Sequence, residues 1–153
     1  MKILLAVDGS DYSKHAVESV AARPWPPDSE IKVLSAIELP YAPTPEMWAL
    51  PDSYYAQMEK QARESAVQAA QAAADRLNQN SLSQLRISTA TESGLARDVI
   101  LDTAEKWGAD LIVLGSHGYK AFKRFMLGSV SHAVATHAHC SVEIVRERKA
   151  GHT

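Results

Sequence analysis

The chain has 153 residues, 46% hydrophobic and 22% charged, with 16 Lys+Arg against 18 Asp+Glu for a formal net charge of −2. That length suits one domain, and so balanced a charge supplies no field to coat nucleic acid or an anionic membrane. The single cysteine excludes an internal disulfide framework and a Cys-based zinc site, and no apolar run approaches the roughly 18 residues of a membrane span.

At the start, Lys2 is followed by Ile3-Leu4-Leu5-Ala6-Val7. This run is too short for a signal-peptide core, so a cytoplasmic location is expected. It fits a central parallel strand covered on both faces. Asp8, Gly9 and Ser10 interrupt it, and then Tyr12, Ala16, Val17, Val20 and Ala21 recur at helical spacing. Pro24-Trp25-Pro26-Pro27 ends that helix. Residues 31–39 read as a second strand. Residues 40–51 hold Pro40, Pro43, Pro45 and Pro51 with Tyr41, Met47 and Trp48, an irregular loop.

From about residue 53 to 77 the chain is rich in strong helix formers. Tyr55, Met58, Ala62, Ala66, Ala70, Ala73 and Leu77 step by three or four along one face, an alanine-heavy stripe suited to close packing on a sheet. Residues 85–91 alternate between Leu85, Ile87, Thr89 and Arg86, Ser88, Ala90, as in a less buried edge strand. Leu95, Val99, Ile100, Ala104 and Trp107 mark a helix closed by Gly108. Leu111-Ile112-Val113-Leu114 is the most apolar strand, residues 129–137 a short helix and residues 141–146 a last strand.

This β-α alternation predicts an α/β domain of three layers. Its core is a flavodoxin/Rossmann-like open sheet of five mainly parallel strands with helices on both faces. In such sheets ligands bind past the carboxyl ends of the strands, at the switch point. Asp8, Gly9 and Ser10 then meet the segment after Leu114 wherever the first and fourth strands are neighbours.

That segment carries the chemistry. Gly115-Ser116-His117-Gly118 follows the most apolar strand, and Gly128-Ser129-Val130-Ser131 opens the next helix. Glycines let backbone N–H groups approach an anion, and a helix start offers unpaired donors and a favourable dipole. The same residues also suit a tight turn with Ser129 as a plain N-cap, and composition leaves both open. A dinucleotide G-x-G-x-x-G after the first strand is absent, as is a P-loop Gly-Lys-Ser/Thr.

The spacing present is Gly115-x2-Gly118-x9-Gly128-Ser129. With the opening Ile3-Leu4-Leu5-Ala6-Val7-Asp8-Gly9-Ser10, the strand Ala109-Asp110-Leu111-Ile112-Val113-Leu114-Gly115 and the closing Ser141-Val142-Glu143-Ile144-Val145-Arg146, it resembles the nucleotide-binding branch of the universal stress protein family. One departure is Cys140-Ser141, where many members have proline before the last strand.

The resemblance implies a single nucleotide-binding domain over residues 1–147 with a polar tail at 148–153. Gly115, Ser116, His117, Gly118, Gly128 and Ser129 would hold phosphates and ribose, with Val130 and Ser131 joining at the helix start. Asp8 would lie near the adenosine, Gly9 and Ser10 would line the same mouth, and Ala36 would pack on adenine. The implied cofactor is ATP, or AMP or ADP, with Mg2+ or Mn2+ bridging the phosphates. The implied partner is a second copy in a homodimer through Val142-Glu143-Ile144-Val145-Arg146, an apolar edge strand; neither nucleic acid nor membrane is implied. Such a protein would be a nucleotide-dependent switch in a stress response.

Competing readings attach to several residues. Asp8 also suits capping of the next helix, and His117 suits a solvated loop residue as well as a phosphate contact. His132 and His137 lie about 140° apart on a helix, so with His139 and Cys140 they make a poor metal set. Lys120, Lys123 and Arg124 among Tyr119, Phe122 and Phe125 fit a solvated loop or a lid over nucleotide. Other functional classes are a slow ATP hydrolase or phosphotransferase, for which only His117 and Asp8 offer a base, and a nucleotide-free interaction module. No residue is assigned a catalytic role.

Overall fold

A computed structural model describes residues 1–39, 49–79, 85–119 and 126–146. Its elements are β1 (Lys2–Ala6), α1 (Asp11–Ala21), β2 (Glu30–Ile37), α2 (Asp52–Gln79), β3 (Arg86–Ser93), α3 (Ala96–Trp107), β4 (Leu111–Gly115), α4 (Ser129–His137) and β5 (Ser141–Val145). The five strands form one sheet in the order β3-β2-β1-β4-β5, with every neighbouring pair parallel. Within the predicted flavodoxin/Rossmann-like class, this is the order 3-2-1-4-5 of the Rossmann type.

The alternation of β1 divides the core in two. Ile3, Leu5 and Val7 face α1 and α2, meeting Ala16, Val17, Val20 and the alanine stripe that ends at Leu77. Leu4 and Ala6 face α3 and α4, meeting Val99, Ile100, Ala104 and Val134. Ile3, Leu4 and Leu5 have no exposed surface at all, so a run with no polar break is what two covered faces demand. Each such side chain contributes about 1.5–3 kcal/mol relative to exposure.

The two edge strands differ from this centre. β3 pairs only with β2 and exposes much of its length, which is why its sequence alternates. β5 closes the other edge against β4. Glu143 on β5 reaches Arg23 beyond α1, whose guanidinium binds both carboxylate oxygens. The hydrogen bond from Arg23 holds the Glu143 carboxyl below its ordinary range, against the opposing effect of burial.

α1 stops before Pro24: the N–H of Ala22 still donates to Glu18 O and that of Arg23 to Val20 O. Two sequence expectations fall outside the described residues, the loop around Tyr41, Met47 and Trp48 and the basic-aromatic segment from Lys120 to Phe125. The polar tail at 148–153 does so as well. Among the described residues no helix is long and apolar enough to cross a membrane.

Candidate functional site

Strand order reverses between β1 and β4, because β1 is followed by α1 toward β2 and β4 by α4 toward β5. Helices on opposite faces start there, and a crevice opens between them at the carboxyl edge of the sheet. It has a volume of about 510 Å³, within the ordinary range for small-molecule sites. Asp8, Ala36, Gly115, His117, Gly118, Gly128, Ser129, Val130 and Ser131 line it, so nine of the sequence-predicted residues share one cavity.

Gly115 ends β4 where α1 begins. A Cβ there would sit 2.7 Å from the backbone carbonyl of Tyr12, so only glycine lets the helix start lie against the strand end. Gly118 plays the same part for a side chain, since a Cβ would come 2.7 Å from Asp8 Oδ2. The other oxygen of Asp8 accepts the N–H of Ser10 at 2.9 Å. Asp8 therefore both orders the turn before α1 and borders the crevice.

The remaining predicted residues lie behind this lining. Ser10 is buried and is the N-cap of α1, its Oγ accepting the N–H of Ser13 at 3.3 Å. Gly9 forms the turn beside it, under the hydroxyl of Tyr119. Ser116 is buried and acts as a junction. Its N–H donates to Val145 O at 2.9 Å, and its carbonyl accepts the Gly128 N–H at 2.9 Å and the Ser131 hydroxyl at 2.8 Å. These bonds draw the two ends of the glycine motif together. Ser116 Oγ also lies 3.1 Å from His117 Nδ1, and the His117 ring sits 5.0 Å from that of Tyr12.

The start of α4 is the electrostatic centre of the site. Its N-cap is Gly128, which has no side chain to offer, and its first turn holds no acidic residue. The Ser131 hydroxyl points back to carbonyls, 3.0 Å from Gly128 O and 2.8 Å from Ser116 O. Among the described residues no acceptor meets the N–H groups of Ser129, Val130 and Ser131. Three convergent donors with a helix dipole behind them form a ready site for an anion.

Several lining residues were not predicted from sequence. Ala62, Ser65 and Ala66 come from α2, Leu34 and Ser35 from β2, Glu38 from just beyond it, and Ala96 and Ile100 from α3. The stripe on α2 was legible, but its extension past the sheet edge to wall a cavity was not. Glu38 accepts the N–H of Ala96 at the start of α3, a long-range pairing that carries no local sequence signal.

Among the described residues no group of three or more His, Cys, Asp or Glu side chains could hold a metal ion. His139 and Cys140 border a separate hollow of about 190 Å³ at the far ends of α3 and α4. Burial, with Asp110 nearby, pushes the Cys140 thiol up, away from the thiolate that metals bind.

Fold and crevice define a doubly wound parallel α/β protein with a cavity of small-molecule size at the switch point. The sequence model of the universal stress protein family matches residues 1–146. The chain belongs to that family. Universal stress protein YxiE of Bacillus subtilis is 27% identical over 148 residues, covering 95% of this chain and 98% of the relative. The solved structure of protein MJ0577 superposes with a TM-score of 0.80 at 23% identity, over 97% of each chain. An AMP-bound family member from Arabidopsis thaliana gives 0.68 at 20% identity, over 98% of this chain and 93% of that one. A universal stress protein in complex with cAMP gives 0.61 at 22%, over 95% and 96%. At these identities the structural likeness speaks for the fold.

Proposed function

We propose that this protein binds an adenine nucleotide, ATP foremost, and acts as a nucleotide-dependent switch in a stress response. The observation that carries the reading is the bare N-terminus of α4, opening onto the crevice beside Gly115 and Gly118. The phosphates lie against the N–H groups of Ser129, Val130 and Ser131, with Gly118 and Gly128 leaving room for them. Leu34, Ala36 and Ile100 offer an apolar wall to the base. Two structural neighbours are described with AMP and with cAMP, which supports the same ligand class here.

Mg2+ or Mn2+ would bridge the phosphates, since the described residues supply no carboxylate cluster for an all-protein site. Nucleotide binding and release at Gly115, Gly118 and Gly128 are the two states of the switch. The protein works in the cytoplasm as a homodimer paired along β5, with Val142-Glu143-Ile144-Val145-Arg146 as its self-complementary edge.

Calorimetry on ligand-stripped protein tests the central claim. ATP or AMP should bind the wild type with measurable heat, and Gly118→Val and Gly128→Val should abolish it while far-UV circular dichroism stays native. No heat from the wild type with either nucleotide would refute the reading.

A further inference from the structure

The crevice has two chemically opposite ends. At the β4 end lies the uncapped start of α4, with three N–H donors and no acid. At the β2 end Leu34 and Ala36 pack on the α3–α4 side of the sheet, and the exposed Glu38, just past the last residue of β2, meets α3 on that side through Ala96. Leu34, Ala36 and Ile100 give that end an apolar wall, with Ser35 also in the lining and a carboxylate at the rim. Glu38 lines the cavity with them, as does Ala96 of α3.

One oxygen of Glu38 accepts the N–H of Ala96 and is thereby fixed in direction. Among the described residues no donor faces its second oxygen. An ionised carboxylate accepts at about four lone-pair sites and donates at none. An acceptor held in place at the rim of an apolar slot favours a ligand edge that carries a hydrogen-bond donor and disfavours one that carries lone pairs or charge. Capping α3 by itself would not need a carboxylate that borders the cavity.

We propose that Glu38 is a specificity-determining residue whose free carboxylate oxygen accepts a hydrogen bond from an exocyclic amine on the base. The inference rests on the nucleotide reading above and adds to it the group on the base that is recognised.

The test compares ATP with purine riboside 5′-triphosphate, which lacks the 6-amino group, by calorimetry on wild type and Glu38→Gln. The glutamine carbonyl can still accept from Ala96, so the melting temperature reports whether α3 stays capped. Wild type should prefer ATP by about tenfold, the size of one charge-assisted hydrogen bond. In Glu38→Gln the ATP affinity should fall by about that factor while purine riboside 5′-triphosphate binds as before and the melting temperature holds. Equal affinities in the wild type, an equal loss of both nucleotides in the variant, or a preference for ATP that survives the substitution would each overturn the role of Glu38 and leave nucleotide binding standing. Failure of the wild type to bind either nucleotide would overturn the nucleotide reading, and the role of Glu38 with it.

Discussion

Four helices begin along the same edge of this sheet, and they fall into two kinds. α1 starts with Asp11 and the capping hydroxyl of Ser10, α2 with Asp52, and α3 with Asp98 and the borrowed carboxylate of Glu38. Each has an acid in its first turn to complement the dipole, and at α1 and α3 a side chain, Ser10 or Glu38, also accepts a backbone N–H. α4 has neither an acid nor a side-chain cap. Acids stand at three helix starts and not at the fourth, and the proposed nucleotide would bring its phosphates to that fourth start.

The largest expected effect comes from erasing the difference. Ser129→Asp places an acid in the first turn of α4, making it like the other three. A charge about 4 Å from a phosphate costs several kcal/mol at intermediate dielectric, so ATP affinity should fall on the order of 100-fold. The same substitution should raise folding stability by about 0.3–1 kcal/mol through the dipole. Calorimetry and thermal melting on one sample read both signs. Unchanged ATP affinity would remove the distinction between α4 and the rest.

Gly115→Ala and Gly118→Ala separate support from site. The first drives a methyl group against the Tyr12 backbone and should cost about 1–3 kcal/mol in urea unfolding. The second meets only the end of the Asp8 side chain, which can swing aside, so its stability cost should stay under about 1 kcal/mol. If both variants lose stability alike, Gly118 is structural in the same way as Gly115.

Ser10→Ala probes a capped helix for contrast. Losing the Ser10 cap should destabilise the fold by about 1 kcal/mol, visible as a lower denaturation midpoint, with ATP affinity within about twofold of wild type.

The smallest effect lies far from the crevice. Glu143 is held below its ordinary carboxyl value of 4.5 by Arg23. Its contribution is therefore complete above that value and is lost as pH falls through the lower folded-state value. The side chains of Arg23 and Glu143 remain 39% and 29% exposed, so solvent screening limits the pair to less than about 1 kcal/mol. Glu143→Gln should lower the melting temperature slightly at neutral pH, and the gap to wild type should close below pH 4.5. A gap that persists in acid would mean that packing, not charge, is what the substitution disturbs.

Much of the fold was readable because its signals are local. Unbroken apolar runs marked β1 and β4, alternation marked β3 as an edge, and three- and four-residue steps marked the helices. The glycine motif could be read for the same reason, since its spacing lies within one stretch of chain. Strand order was only conditional in the sequence, because register is fixed by contacts between distant segments. Glu38 and Ala96 are 58 positions apart, and no periodicity connects them. Ser10 was grouped with the lining residues as a neighbour of Asp8 in the family resemblance, and Ser116 as part of the glycine motif, yet a hydroxyl or carbonyl near a site can equally be spent on holding it. Sequence position does not distinguish a residue that faces the cavity from one that faces the chain behind it.

Ser116 carries a consequence of this kind. Its N–H is bound to Val145 on the edge strand and its carbonyl to Gly128 and Ser131 at the start of α4. One residue thus joins the rim of the sheet to the α4 end of the crevice. In the proposed homodimer, ordering of β5 by a neighbouring strand would reach the α4 start through this residue, and ordering of the α4 start would return to β5 the same way. Thermodynamic linkage makes such an exchange symmetric: whatever factor strand pairing adds to ligand affinity, the ligand adds to strand pairing.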